Sequence, residues 1–256
     1  MNHLIIWKET SLFLGSNNTD ISEHQHPMIQ LILCIDDLFS WKGTNGNWIK
    51  KKALLISPNQ THECNASGKE ILIIGVDPES VFGQFITNEH LLSESIIDFP
   101  SSCLKKLDII QISKNIKNKN WAELYNNIKL LFGFKFNKFA LKKKDERIKN
   151  VLDFIRDNIH TNITTEILTN VAYLSESRLI HLFKQEMGLP IRNYILWHRL
   201  QLAFIEITKG HSLTKVAYLC GFSDQSHLTR TFVKVIGASP SSLLKNSKFI
   251  QVSFPL

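Results

Sequence analysis

A chain of 256 residues with 43% apolar side chains can bury one large core or two ordinary ones. It contains no apolar run near the roughly 20 residues that a membrane-crossing helix needs and no signal-like N-terminus, so a soluble cytoplasmic protein is expected. The net charge of +7 is unevenly spread: residues 1–134 carry 12 Lys and Arg against 14 Asp and Glu, whereas residues 135–256 carry 18 against 9.

All six arginines lie in that second part, at 147, 156, 178, 192, 199 and 230. A domain that binds a polyanion, joined to a nearly neutral one, produces this asymmetry. A biased base composition of the coding DNA explains abundant Lys, Asn and Ile, but it leaves the absence of Arg before 147 unexplained. Cys34, Cys64, Cys103 and Cys220 are too scattered for a zinc or dithiol motif, and buried, reduced thiols are expected.

Between Ile5 and Phe85 the pattern predicts short strands at Leu12 to Leu14, Ile29 to Ile35, Leu54 to Ile56 and Ile71 to Val76. Polar turns separate them, at Gly43 to Asn47 and at Ala66 to Lys69. A sandwich or small barrel follows. His24, His26 and Gln30 have even separations, which places them on one face if they share a strand, and His62 can converge on them from another strand. Three imidazoles and a carbonyl oxygen suit a divalent metal, an organic ligand or a purely structural role.

From Glu89 to Phe136 the spacing becomes helical, and Trp121, Leu124, Tyr125, Ile128, Leu131 and Phe132 form an apolar stripe. Such a stripe serves either as a subunit interface or as packing against its own barrel. A linker over 137–146, with Lys142, Lys143, Lys144, Asp145 and Glu146, leads into a helix that buries Ile148, Val151, Leu152, Ile155 and Ile159.

The region from Ile163 to Pro240 contains one helical pattern twice. Ser175, Leu179, Phe183 and Gly188 in the first copy answer Ser223, Leu228, Phe232 and Gly237 in the second. Each copy reads as two helices joined by a tight turn, with Leu and Phe four residues apart on the buried face of the second helix. Gly221 suits the left-handed turn of the second copy, while Tyr173 stands there in the first. This is a helix-turn-helix pattern, whose second helix can lie in a DNA major groove. A helix starting at Pro190 joins the copies, and Ser239 and Pro240 start a last short helix through Leu244. A stiff joining helix can hold two recognition helices about 34 Å apart, one DNA turn.

These residues carry a resemblance to the AraC/XylS family of bacterial transcription regulators. Its signature is matched by Gly221, Phe222, Ser223, Gln225, Ser226, Leu228 to Phe232 and Gly237 to Pro240. Phe183 to Gly188 match as well, together with Tyr194, Ile195, Arg199, Leu200 and Ala203 on the joining helix. About the last hundred residues are covered. The resemblance implies an α+β protein: an N-terminal cupin-like β-barrel or sandwich with flanking helices over 1–136, the linker over 137–146, and an all-α DNA-binding domain over 147–256.

In the N-terminal domain, His24 to His26, the following strand, and Leu54 to Pro58 with His62 resemble the sensor barrel common in that family. Enzymatic cupins usually have a carboxylate at the place of Gln30 and a glycine that the segment from Pro58 to His62 lacks. Family regulators mostly use the barrel for organic effectors. The expectation is therefore an effector site at His24, His26, Gln30 and His62, with no metal, no other cofactor and no catalytic residue.

In the second unit, inward Leu228 and Phe232 leave Gln225, Ser226, Thr229 and Arg230 on the outer side. Arg230 can donate two bonds to guanine O6 and N7, and Gln225 can pair with adenine N6 and N7. In the first unit the outward positions are Ser177, Arg178, Ile180 and His181; Ile180 suits a thymine methyl, and Arg178 and Lys184 suit phosphates. The implied partners are double-stranded DNA, RNA polymerase, a small-molecule effector and a second copy of the chain, with activation rather than repression expected. The alternatives are a cupin-type metal-dependent enzyme and an effector-independent regulator.

Overall fold

The computed structural model describes residues 2–16, 21–43, 46–135, 144–241 and 250–253. Residues 44–45 of the expected turn, 137–143 of the linker and 242–244 of the last expected helix lie outside these residues. The chain divides into two compact units. One comprises Met1–Glu23, Met28–Leu141 and Ser242–Leu256, and the other His24–Pro27 and Lys142–Ser241.

The first unit is built on nine strands in succession: β1 (Asn2–Ile6), β2 (Thr10–Ser16), β3 (Ile21–His24), β4 (Ile29–Cys34), β5 (Phe39–Lys42), β6 (Trp48–Lys51), β7 (Ala53–Ile56), β8 (His62–Asn65) and β9 (Glu70–Val76). Helix α1 (Val81–Ile86) then runs into a π-helical turn (Thr87–Leu91), followed by β10 (Ile96–Asp98), α2 (Ser101–Leu104), α3 (Ile109–Lys117) and α4 (Trp121–Leu131). β11 (Ile250–Ser253) is far away in sequence. A seven-stranded sheet has the order β10-β7-β4-β9-β2-β1-β11, and a four-stranded sheet the order β3-β8-β5-β6.

In the larger sheet, β4 is apolar on both faces because both are covered, residue by residue. Leu31 and Leu33 point into the core shared with the helices, where Phe82, Leu124, Ile128, Leu131 and Phe132 are buried. Ile32 and Cys34 point the other way, into a second core formed with Phe39 and Trp41 of the smaller sheet. A strand buried on both faces reads as a continuous apolar run, and the run from Ile29 to Ile35 was legible for that reason. The strands outside such runs carry mixed polarity.

The stripe on α4 is consumed by its own domain, since Leu124, Ile128, Leu131 and Phe132 are all buried there. β11 pairs in parallel with β1, from Asn2 opposite Ile250 to Ile5 opposite Ser253. The expectation of a single domain over 147–256 did not contain that pairing. Cys34, Cys103 and Cys220 are buried and Cys64 is partly so, all as free thiols. Burial raises the Cys64 and Cys220 thiols above their ordinary range, which keeps both protonated.

The second unit is helical: α5 (Glu146–Asp157), α6 (Thr165–Ala172), α7 (Glu176–Met187), α8 (Ile191–Thr208), α9 (Leu213–Leu219) and α10 (Gln225–Ile236). Around α6 and α7, a core of Ile148, Val151, Ile155, Leu168, Leu179, Phe183 and Met187 forms under α5. α9 and α10 pack on α8, with Leu200, Ala203, Val216, Ala217, Leu228 and Phe232 buried. Pro190 caps α8 from the position before its first residue. Its fixed φ suits that place, and it has no N–H to leave unpaired. Among the described residues no helix is long and apolar enough to cross a membrane.

Candidate nucleic-acid interface

Each helical pair begins with a hydroxyl cap. The Thr164 side chain accepts from Ile167 N at the start of α6 (3.3 Å), and Ser212 accepts from Lys215 N at the start of α9 (3.3 Å). Each such cap satisfies one N–H that the first helical turn leaves without an internal partner. The second helices, α7 and α10, both end on a left-handed glycine, Gly188 at φ +69° and Gly237 at φ +79°.

The turns differ. In the first unit Tyr173 itself takes the left-handed conformation (φ +53°, ψ +44°) and is 91% exposed. In the second unit Gly221 takes it at φ +73°. Ser175 is the N-cap of α7, and Asp224, not Ser223, occupies that position for α10. The repeat register therefore shifts by one residue at this point, because the second turn is longer. From the caps onward the match is regular, with Leu179 and Leu228 each four residues past the cap.

Asp224 is the better cap. Its carboxylate accepts from His227 N (2.7 Å) and from the Ser223 hydroxyl (3.0 Å), while the Ser175 side chain makes no cap bond. The His227 N–H and the Ser223 hydroxyl hold the Asp224 carboxyl below its ordinary pKa. The His227 ring stands edge-on to Phe222, with centroids 5.3 Å apart. The start of α10 is thus tied down by a local polar network.

On α7 the buried positions are Leu179, Leu182, Phe183 and Met187. Ser177, Arg178, Ile180, His181 and Lys184 are exposed. On α10 the buried positions are Leu228, Thr231 and Phe232. Gln225, Ser226 and Arg230 are exposed and Thr229 is partly so. Among the described residues Arg230 forms no ion pair, which leaves its guanidinium donors available to a ligand. A further contact was not legible in the sequence: the Thr214 hydroxyl on α9 donates to Gln225 Oε1 at 2.9 Å. It ties the first side chain of α10 to the preceding helix, and no local spacing rule connects residues eleven apart across a turn.

The four candidate effector residues do not share one strand. His24 ends β3 in the smaller sheet, Gln30 lies on β4 in the larger one, and His26 sits in the connection between them. Even spacing implies a common face only while the chain remains extended, and Pro27 lies where the chain passes from one sheet to the other. His24 and His26 are both buried, with ring centroids 5.7 Å apart. The strand that His24 ends neighbours β8, which His62 opens.

His62 is buried and stacks on Trp41 at 6.3 Å. Its Nδ1 lies 2.8 Å from the Gln60 carbonyl, which can only accept, so that nitrogen is the donor. Gln30 points, as Ile32 and Cys34 do, toward the core that contains Trp41.

Two helix-turn-helix units on one joining helix, each with a polar outer face on its second helix, define a DNA-binding domain. The helix-turn-helix domain family model matches residues 168–246. The chain is 27% identical over 237 residues to the probable transcriptional regulator LumQ of Photobacterium leiognathi, covering 85% of this chain and 90% of that one. It is 31% identical over 99 residues to the arabinose operon regulatory protein of Escherichia coli K12, covering 38% of this chain and 34% of that one. Among solved structures, ToxT from Vibrio cholerae O395 superposes with a TM-score of 0.57 at 13% identity, over 93% of this chain and 96% of that one. These matches support the resemblance to the AraC/XylS family of DNA-binding transcription regulators.

Proposed function

We propose that this regulator reads a specific DNA sequence with α7 and α10 and activates transcription by recruiting RNA polymerase, as a homodimer controlled by a small organic molecule in the N-terminal barrel. The observation that carries the reading is the outer face of α10. Gln225, Ser226, Thr229 and Arg230 lie on a helix whose opposite face is locked into the core by Leu228 and Phe232. In this reading Arg230 and Gln225 contact base edges, and Ser226 and Thr229 contact bases or adjacent phosphates.

On α7, Ile180 meets a thymine methyl, Ser177 and His181 approach bases, and Arg178 and Lys184 hold phosphates. The concentration of arginine after residue 146 supports the same assignment.

Residues 1–136 take the sensing role. One of the similar ToxT structures is of the unsaturated fatty acid-bound protein, which makes an amphiphilic carboxylic acid the first class of effector to test. His24, His26, Gln30 and His62 are the polar groups offered to it.

Mapping bound genomic fragments with the full chain, then measuring Arg230→Ala on the selected sequence and on random DNA, tests the reading. A loss on the selected sequence with little change on random DNA is expected. Equal losses on both would remove Arg230 from base reading.

A further inference from the structure

Arg199 lies within α8 and is half-buried between the two helix-turn-helix units. Its Nε donates to the Ile159 carbonyl at 3.1 Å and its Nη2 to the Thr161 carbonyl at 2.6 Å. Both carbonyls belong to the connection between α5 and α6, the entry to the first unit. On its other side the guanidinium abuts Gly221, the turn of the second unit. A Cβ at residue 221 would lie 3.0 Å from Cζ and from Nε of Arg199. A single planar group therefore bonds one unit and fills the space beside the turn of the other.

Each unit otherwise has its own apolar core. Arg199 differs in geometry from those contacts, because the guanidinium fork holds two donors in a fixed plane and stays charged when desolvated. Two bonds from one plane fix orientation as well as distance. A lysine at the same place would bring one point charge on a flexible stem. Glycine at 221 meets two demands at once, a left-handed backbone and an open side for the guanidinium.

We propose that Arg199 is a positioning residue that sets the register between α7 and α10, and through it the number of base pairs between the two segments of DNA that they read. The inference rests on the reading that both helices enter the groove. Adding one base pair between the two segments displaces the second by about 3.4 Å and rotates it by roughly 35°, which a rigid pair of helices cannot follow.

The test uses the full chain and a selected binding site, with variants of that site lengthened or shortened by one base pair between its two segments. Wild-type protein is expected to lose on the order of tenfold or more in affinity on each altered spacing. Arg199→Gln is expected to bind the native spacing more weakly and to shrink the native-to-altered ratio to a few-fold, with Arg199→Lys between the two. Arg199→Lys keeps the test alive should Arg199→Gln not fold. Ile155→Val, a mild truncation in the core of the first unit, is expected to lower the melting temperature and keep the wild-type ratio.

If both Arg199 variants lose affinity or melting temperature but retain the wild-type ratio, Arg199 is only a staple of the fold and the inference is overturned. A wild-type protein indifferent to spacing overturns the reading of two groove-bound helices, and this inference with it.

Discussion

The two helix-turn-helix units share a plan and differ in how their outer ends are prepared. α7 and α10 are both twelve residues long, both bury Leu and Phe four residues apart, and both stop at a left-handed glycine. Yet α10 starts from an aspartate cap bonded to Ser223 and His227, and its first side chain is tied to Thr214. α7 starts from a serine without a cap bond, follows a strained tyrosine turn, and presents an exposed Ile180 (44%). Packing of the inner face preserves the unit, while the outer face is free to diverge. Pre-ordered polar side chains cost less to fix on binding, which, in the proposed reading of DNA, favours the second unit for base discrimination.

The strongest way to break the comparison is to hollow out each copy at its matched position. Phe183→Ala and Phe232→Ala should each destabilise the protein by about 3 to 5 kcal/mol, because both rings are fully buried. Denaturant unfolding measures this. A much smaller cost for either would show that the two inner faces are not equivalent.

The joining helix supplies the next effect. His198 on α8 is lowered to about 4 by burial first and by nearby Arg156 second, while a bond with Gln201 opposes the shift. The Tyr194 ring lies 4.3 Å from it. The folded chain therefore keeps this imidazole neutral where the unfolded chain, titrating near 6.5, takes up a proton. The associated stability is present above pH 6.5 and is lost as the pH falls toward 4, on the order of 3 kcal/mol in all. Thermal melts over that range should show the loss, and His198→Gln should remove this part of the slope. An unchanged slope would mean that the imidazole titrates normally in the fold.

Outward substitutions should separate the units more finely. Arg230→Ala should cost about 1 to 3 kcal/mol in specific binding, whereas Ile180→Ala, which removes only an apolar contact, should cost under about 1 kcal/mol. Quantitative binding to one selected site compares them directly. A larger loss for Ile180→Ala would transfer the main reading role to the first unit.

The smallest effect concerns the turns. Tyr173→Gly should stabilise the protein by up to about 1 kcal/mol by relieving a left-handed non-glycine residue. Gly221→Ala should destabilise it through both the backbone and the approach to Arg199. Opposite signs in thermal melts are the expected result. Destabilisation by Tyr173→Gly would mean that the tyrosine ring contributes more than its backbone costs.

Much of the helical half was legible because its information is local. Periodicity gave the inner faces of α5, α7 and α10, and the matched glycines gave the helix ends. The strands at 29–35 and 71–76 were readable as apolar runs for the same reason. The short and mixed strands β1, β3, β5, β6 and β8 were not, because their pairing partners, rather than their own composition, decide their conformation. β10 was missed within a stretch that otherwise reads as helix.

Sequence alone determined the α+β division, the duplicated helix-turn-helix and which side chains on α7 and α10 face outward, since a helix of fixed period and a buried Leu–Phe pair leave one orientation. Tertiary structure alone decided where the candidate effector residues fall between two sheets and that α4 spends its apolar stripe on its own barrel. It also placed β11 beside β1, Thr214 on Gln225 and Arg199 between the two units. Each of these depends on groups brought together from distant parts of the chain, and chain spacing carries no record of that approach.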